Sequence, residues 1–142
     1  MGVGCRRSRG RSVGHQAQVL SVRAIGAAEA ARRLAGCERR EPSGLFGPGD
    51  LAATCERGQC FEIEGAAQAV YVVKVHNGVV WIDALKGTSG QVDVIAALDA
   101  VVTAQAAGAR SIACQTKRRA LVAALTKRGF RITGWILKRD MQ

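Results

Sequence analysis

The sequence predicts an α/β (α+β) fold: one domain with a mixed sheet, in which an antiparallel meander is followed by a crossover helix and C-terminal strands. Three observations carry this expectation. The runs Cys60–Glu64, Ala69–Val75 and Val79–Leu85 are rich in apolar and β-branched residues, and His76-Asn77-Gly78 joins the last two with an Asn-Gly pair, which accepts the positive φ angles of a tight hairpin. Residues 92–107 then carry an Ala-rich helical period that separates this meander from the next strand-like run, Ser111–Gln115, and a connection of that length crosses over. Finally, 142 residues that are 48% apolar suffice for one hydrophobic core without metal or disulfide staples.

Taken in order, residues 1–17 are rich in Gly, Arg and Ser with no apolar period, and read as a flexible basic arm. The domain spans 18–142. Val19–Ile25 reads as a strand, and Ala27–Leu34 is a run of good helix formers stopped by Gly36. Cys37–Gly49 holds both prolines and reads as a loop; Asp50 is placed to cap a short helix through Arg57, with Leu51, Ala52 and Cys55 on one face. After the meander comes the break Gly87-Thr88-Ser89-Gly90. The crossover helix places Ile95, Leu98 and Val102 on one face. A further helix over 118–128 turns Leu121, Val122 and Leu125 inward and ends at Gly129, where glycine enters the left-handed region at little cost; a last strand is expected over Thr133–Leu137.

Charge and cysteine content narrow the function classes. The net charge of +10 is uneven: residues 1–23 carry +5, residues 110–142 carry +8 and residues 24–109 carry −3. A basic C-terminal part attracts polyanions, whether a coenzyme bearing three phosphates or a nucleic acid. Only six aromatic residues are spread along the chain, so stacking platforms for single-stranded nucleic acid are not indicated. Cys5, Cys37, Cys55, Cys60 and Cys114 form no C-x-x-C pair and match no zinc spacing, so no metal is expected, and Met1–Gln16 has no apolar signal region. A reduced, cytoplasmic protein without a membrane span is the expectation.

The order strand, glycine turn, helix, strand, helix, Arg128-Gly129-Phe130, strand resembles the GCN5-related N-acetyltransferases from about Val19 to Asp140. That resemblance implies an acetyl-CoA or other acyl-CoA co-substrate, with its pyrophosphate held at the glycine turn by N–H groups of a helix N-terminus. The family signature, Gln/Arg-x-x-Gly-x-Gly/Ala, falls on Gly87-Thr88-Ser89-Gly90-Gln91-Val92, where only Gly90 agrees; Asp93 adds a negative charge beside the expected anion. Leu85, Gly87, Thr88, Ser89, Gly90, Gln91 and Val92 are the coenzyme-binding candidates, and a tight structural turn is the competing reading.

The resemblance also implies a base on the meander. Asp83 is the acid inside the strand preceding the turn, and alternation places Trp81, Asp83 and Leu85 on one face. A structural, edge-exposed or ion-paired role is the alternative for Asp83. Where the family places a Tyr as general acid, four residues before the Gly-Phe pair, this chain has Leu125; Tyr71 lies on the meander as a packing residue, and Cys114 reads as a small buried apolar residue. The first function reading is therefore an acyl-CoA-dependent N-acyltransferase with an amine acceptor and eroded coenzyme and acid motifs. The second is a non-catalytic protein of the same fold, binding nucleic acid through its basic arm and surface or serving in an assembly.

Overall fold

The computed structural model describes residues 20–37, 49–88, 93–116, 118–134, 137, 139 and 141. Its elements follow the order β1 (Leu20–Ile25), α1 (Ala27–Leu34), α2 (Asp50–Arg57), β2 (Gln59–Gly65), β3 (Gln68–His76), β4 (Val79–Thr88), α3 (Val94–Gln105), β5 (Ser111–Cys114) and α4 (Arg119–Thr126). The strands form one sheet in sequence order, antiparallel from β1 to β4 and parallel between β4 and β5. The arm over 1–17 lies outside the described residues, as do residues 38–48 of the expected loop.

Alternation along β2 and β3 feeds two cores, one on each side of the sheet. Ile63, Tyr71, Val73 and Val80 pack with Leu98, Val101 and Val102 of α3. On the opposite face Cys60, Val70 and Val72 pack with Ala30 and Leu34 of α1 and with Cys55 of α2. Tyr71 is fully buried, stacks on Phe61 with ring centroids 5.5 Å apart, and donates its hydroxyl to Gln105 Oε1 at 2.5 Å. Burial pushes this phenol up to about 12, as a packing residue requires.

The turns carry the expected chemistry. Asn77 and Gly78 both have positive φ, 52° and 75°, and close the β3–β4 hairpin. Gly129 ends α4 at φ 91°, and the Phe130 N–H returns to the Leu125 carbonyl at 3.1 Å, the long bond of a Schellman ending. One expectation is corrected. The N-cap of α2 is Gly49 in the left-handed region, and Asp50 is the first helical residue, where its charge complements the helix dipole. The last strand expected over Thr133–Leu137 has its centre, Trp135 and Ile136, outside the described residues.

An ion cluster ties α1 to the sheet. Glu62 of β2 faces Arg23 across the β1–β2 ladder, its side chain 7% exposed, and its Oε2 accepts from Arg23 Nη2 at 2.5 Å and Arg33 Nη1 at 2.8 Å. A hydrogen bond from Glu64, together with both guanidinium groups, holds the Glu62 carboxyl down to about 2, while Glu64 is raised. Ionised Glu62 thus adds stability that is present above its ordinary value of 4.5 and lost as pH falls toward 2; the share from Glu64 has the opposite sign. Glu62→Gln is expected to lower the urea midpoint at neutral pH and to flatten the loss of stability between about pH 4.5 and 2. Urea unfolding of both proteins across that range checks it.

Candidate functional site

The site begins where two strands part. Parallel pairing of β4 with β5 runs from Val79↔Ser111 to Ile82↔Cys114 and stops, whereas β4 continues beside β3 to Thr88. Between Asp83 and Thr88, β4 therefore has β3 on one side and, among the described residues, no strand on the other. The parting coincides with a bulge: Val72 pairs with Ala84 and Val73 with Ile82, leaving Asp83 as the extra residue. The bulge corrects the expected alternation. Ile82 and Leu85 both pack on the α3 side and Ala84 on the α1 side, so Trp81 and Leu85 do not share a face.

A cleft of about 580 Å³ opens at this fork. Its floor is Ile82–Gly87 of β4; α3 contributes Val94, Ile95 and Leu98, α4 contributes Leu121 and Leu125, and Leu51 and Thr54 come from α2. The cleft lies outside the carboxyl ends of two parallel strands joined by a helical crossover, where open α/β sheets generally place ligands. Cys37 donates its thiol to the Leu85 carbonyl at 3.3 Å, and Lys86 Nζ donates to the Ala35 carbonyl at 2.9 Å, which ties the end of α1 to the β4 wall.

Charge in the cleft comes from Asp83, Lys86, Asp93 and Arg118. Partial burial pushes the Asp83 carboxyl up from its usual range, and the Lys74 ammonium partly opposes this. Asp93 caps α3: its Oδ1 accepts from the Ile95 N–H at 2.7 Å and the Ala96 N–H at 3.3 Å. Two of the donors that a helix N-terminus would offer an anion are thus engaged by the chain's own carboxylate. Among the described residues, no three His, Cys, Asp or Glu side chains come together to hold a metal. No helix among them is long and apolar enough to cross a membrane.

Of the candidates from the sequence, Asp83, Leu85 and Gly87 meet in this cleft. Gly87 and Thr88 are not part of a turn but the last two residues of β4, paired with Ala69 and Gln68. A Cβ on Gly87 would come within 2.8 Å of the Gln68 carbonyl oxygen and 2.9 Å of Val94 Cγ1, so its glycine is required by packing. Ser89, Gly90, Gln91 and Val92 lie outside the described residues. Leu125, where the family resemblance would place a Tyr, lines the cleft and is 6% exposed. Cys37, Cys114 and Arg118 also line it. Position at the end of β5 and at the start of α4 was the only signal for Cys114 and Arg118; for Cys37, 48 residues from Leu85, there was none.

In fold the chain is like solved structures of N-acetyltransferases, and it has the fold of the GCN5-related N-acetyltransferases. Similar solved structures include an IAA acetyltransferase from Bacillus cereus ATCC 14579, 16% identical with a TM-score of 0.56, covering 82% of this chain and 79% of that one. AAC(6')-Iy in complex with the bisubstrate analogue CoA-S-monomethyl-acetylneamine is 16% identical with a TM-score of 0.52, over 87% and 99% of the two chains. A ribosomal-protein-alanine N-acetyltransferase from Brucella melitensis biovar Abortus 2308 is 8% identical with a TM-score of 0.52, over 87% and 100%. At such identities the likeness is one of fold. No protein-family model matches the chain, and no curated protein matches its sequence.

Proposed function

We propose that the protein is an acyl-CoA-dependent N-acyltransferase whose thioester substrate lies in the cleft between β4 and β5. The observation that carries this reading is the parted edge of β4: an extended strand edge with no strand partner among the described residues offers backbone N–H and C=O groups to the amide-containing arm of an acyl coenzyme, as a peptide adds to a sheet edge. The apolar wall of Leu85, Val94, Leu98 and Leu125 suits the acyl end of such a substrate, and Arg118, a cation lining the cleft, suits its phosphates. Asp83 takes the proton from the attacking ammonium, directly or through water, and its raised carboxyl pKa makes it a better base for that step than an ordinary aspartate. The amine then attacks the thioester carbonyl and the C–S bond breaks. With Leu125 in place of a phenol, the departing thiolate takes its proton from water.

The engaged N-terminus of α3 predicts a distinctive response. Asp93→Ala frees the N–H groups of Ile95 and Ala96 and removes a like charge from the phosphates, so acetyl-CoA affinity is expected to rise roughly three- to tenfold, while the lost cap costs about 1 kcal/mol of stability. The test is calorimetric titration of both proteins, with release of coenzyme thiol measured against a panel of primary amines. If Asp93→Ala folds normally and neither protein binds acetyl-CoA, the acyltransferase reading fails.

A further inference from the structure

Away from the cleft, two cysteines are neighbours in the core. Cys55 lies near the end of α2 and Cys60 is the second residue of β2; they are 1% and 5% exposed and belong to the same core cluster. The Cys60 thiol donates to the Cys55 carbonyl oxygen at 3.4 Å. The turn between them is closely packed. A Cβ on Gly58 would come within 2.5 Å of Val72 Cγ1 and 2.9 Å of the Val73 carbonyl oxygen, so the chain passes from α2 to β2 pressed onto β3. No disulfide joins the four described cysteines.

A buried cysteine is most simply a small apolar residue, and one thiol would carry no more than that. This pair differs in two respects: the Cys60 thiol is hydrogen-bonded to the residue that carries the other thiol, within one core cluster, and both cysteines line a second cavity, of about 450 Å³, together with Ile25, Gly58, Gln59 and Phe61. We propose that Cys55 and Cys60 are a redox-active dithiol, which a small hydroperoxide reaching them through this cavity converts to a disulfide.

Burial pushes both thiols up, Cys55 to about 11, so the reaction is slower than at an exposed, acidic thiol; the influence of Cys55 opposes the rise at Cys60, which makes Cys60 the one to ionise and Cys55 the one to keep its proton. The Cys60 thiolate attacks a peroxide oxygen, the O–O bond breaks, and Cys60 becomes a sulfenic acid, while the released hydroxide takes up the proton that Cys60 lost on ionising and leaves as water. Cys55 then attacks the Cys60 sulfur; the S–S bond forms, the S–O bond breaks, and the Cys55 proton leaves with the hydroxyl as a second water. Two thiols lose two electrons, and the hydroperoxide gains them. The product pins the last turn of α2 to the start of β2.

The test uses the full chain treated with hydrogen peroxide, followed by alkylation of the remaining thiols, trypsin cleavage and mass spectrometry without reductant. Arg57 lies between the two cysteines, so trypsin separates them unless they are bonded. The expected result is a cross-linked peptide pair two hydrogens lighter than its parts and restored by dithiothreitol, with Cys5, Cys37 and Cys114 still alkylated. In Cys55→Ala, Cys60 loses its resolving partner and is expected to proceed to sulfinic acid. A Cys37–Cys55 disulfide, sulfinic acid on Cys60 of the unaltered chain, or alkylated Cys55 and Cys60 beside an oxidised Cys37 or Cys114 would each overturn the proposal.

Discussion

Asp83→Asn is expected to lower the turnover number of acyl transfer by roughly 10²- to 10⁴-fold while leaving the coenzyme KM within about a factor of two. The amide has nearly the shape of the carboxylate, so the bulge and the cleft wall persist, but it cannot accept the ammonium proton. The acid limb of the rate profile goes with it: because burial raises the Asp83 carboxyl, this limb lies above the usual carboxylate range in the parent protein and vanishes in the variant. Stability responds in the opposite sense. A carboxyl whose folded value is raised contributes stability below its unfolded value and loses it as pH rises through the folded one, so the variant is expected to be as stable as the parent near neutral pH, or slightly more so. Steady-state kinetics from about pH 5 to 9 with a thermal melt on the same samples would check both. Unchanged turnover would remove Asp83 from the chemistry.

Gly58→Ala is expected to destabilise the fold by roughly 2–3 kcal/mol, visible as a fall in the urea midpoint. The cause is steric alone, since φ is −100°, open to any residue. The added carbon would meet Val72 Cγ1 at 2.5 Å, the Val73 carbonyl oxygen at 2.9 Å and the Thr54 carbonyl oxygen at 3.2 Å; two of these are backbone atoms held in the sheet and in α2. Relief requires α2 to lift from β3, which would also displace Leu51 and Thr54 in the cleft. An unchanged urea midpoint in Gly58→Ala would mean that α2 is not pressed on the sheet as described.

Local chemistry made much of this fold legible in the sequence. Ala27–Leu34 and Asp50–Arg57 are helices over the expected residues because helix formers end at Gly36 and Gly58, and the Asn77-Gly78 and Gly129 signals follow from backbone freedom that no neighbour needs to supply. What escaped depends on pairing between distant segments. The bulge at Asp83 is a mismatch between β3 and β4, and period-two alternation read along β4 alone contains no trace of it. Glu62 draws its two arginines from 39 and 29 residues away, so nothing near it in the chain marks it as a buried anion. Asp93 was legible as a charge beside an expected phosphate; its role as the cap of α3 depends on the helix starting at Val94 rather than earlier. The candidate site was thus visible as a strand and a glycine-rich break, while the cleft that gives them meaning is assembled from five elements.

The central claim is that an acyl coenzyme lies along the parted edge of β4, and a titration of the isotopically labelled chain with acetyl-CoA, followed through its backbone amide resonances, tests it most directly. Shifts are predicted at Leu85, Gly87, Val94 and Ile95 and around Cys114, with β1 and the β2–β3 turn unmoved. An unchanged spectrum at about millimolar acetyl-CoA, or shifts confined to the face formed by β1 and α1, would contradict the account.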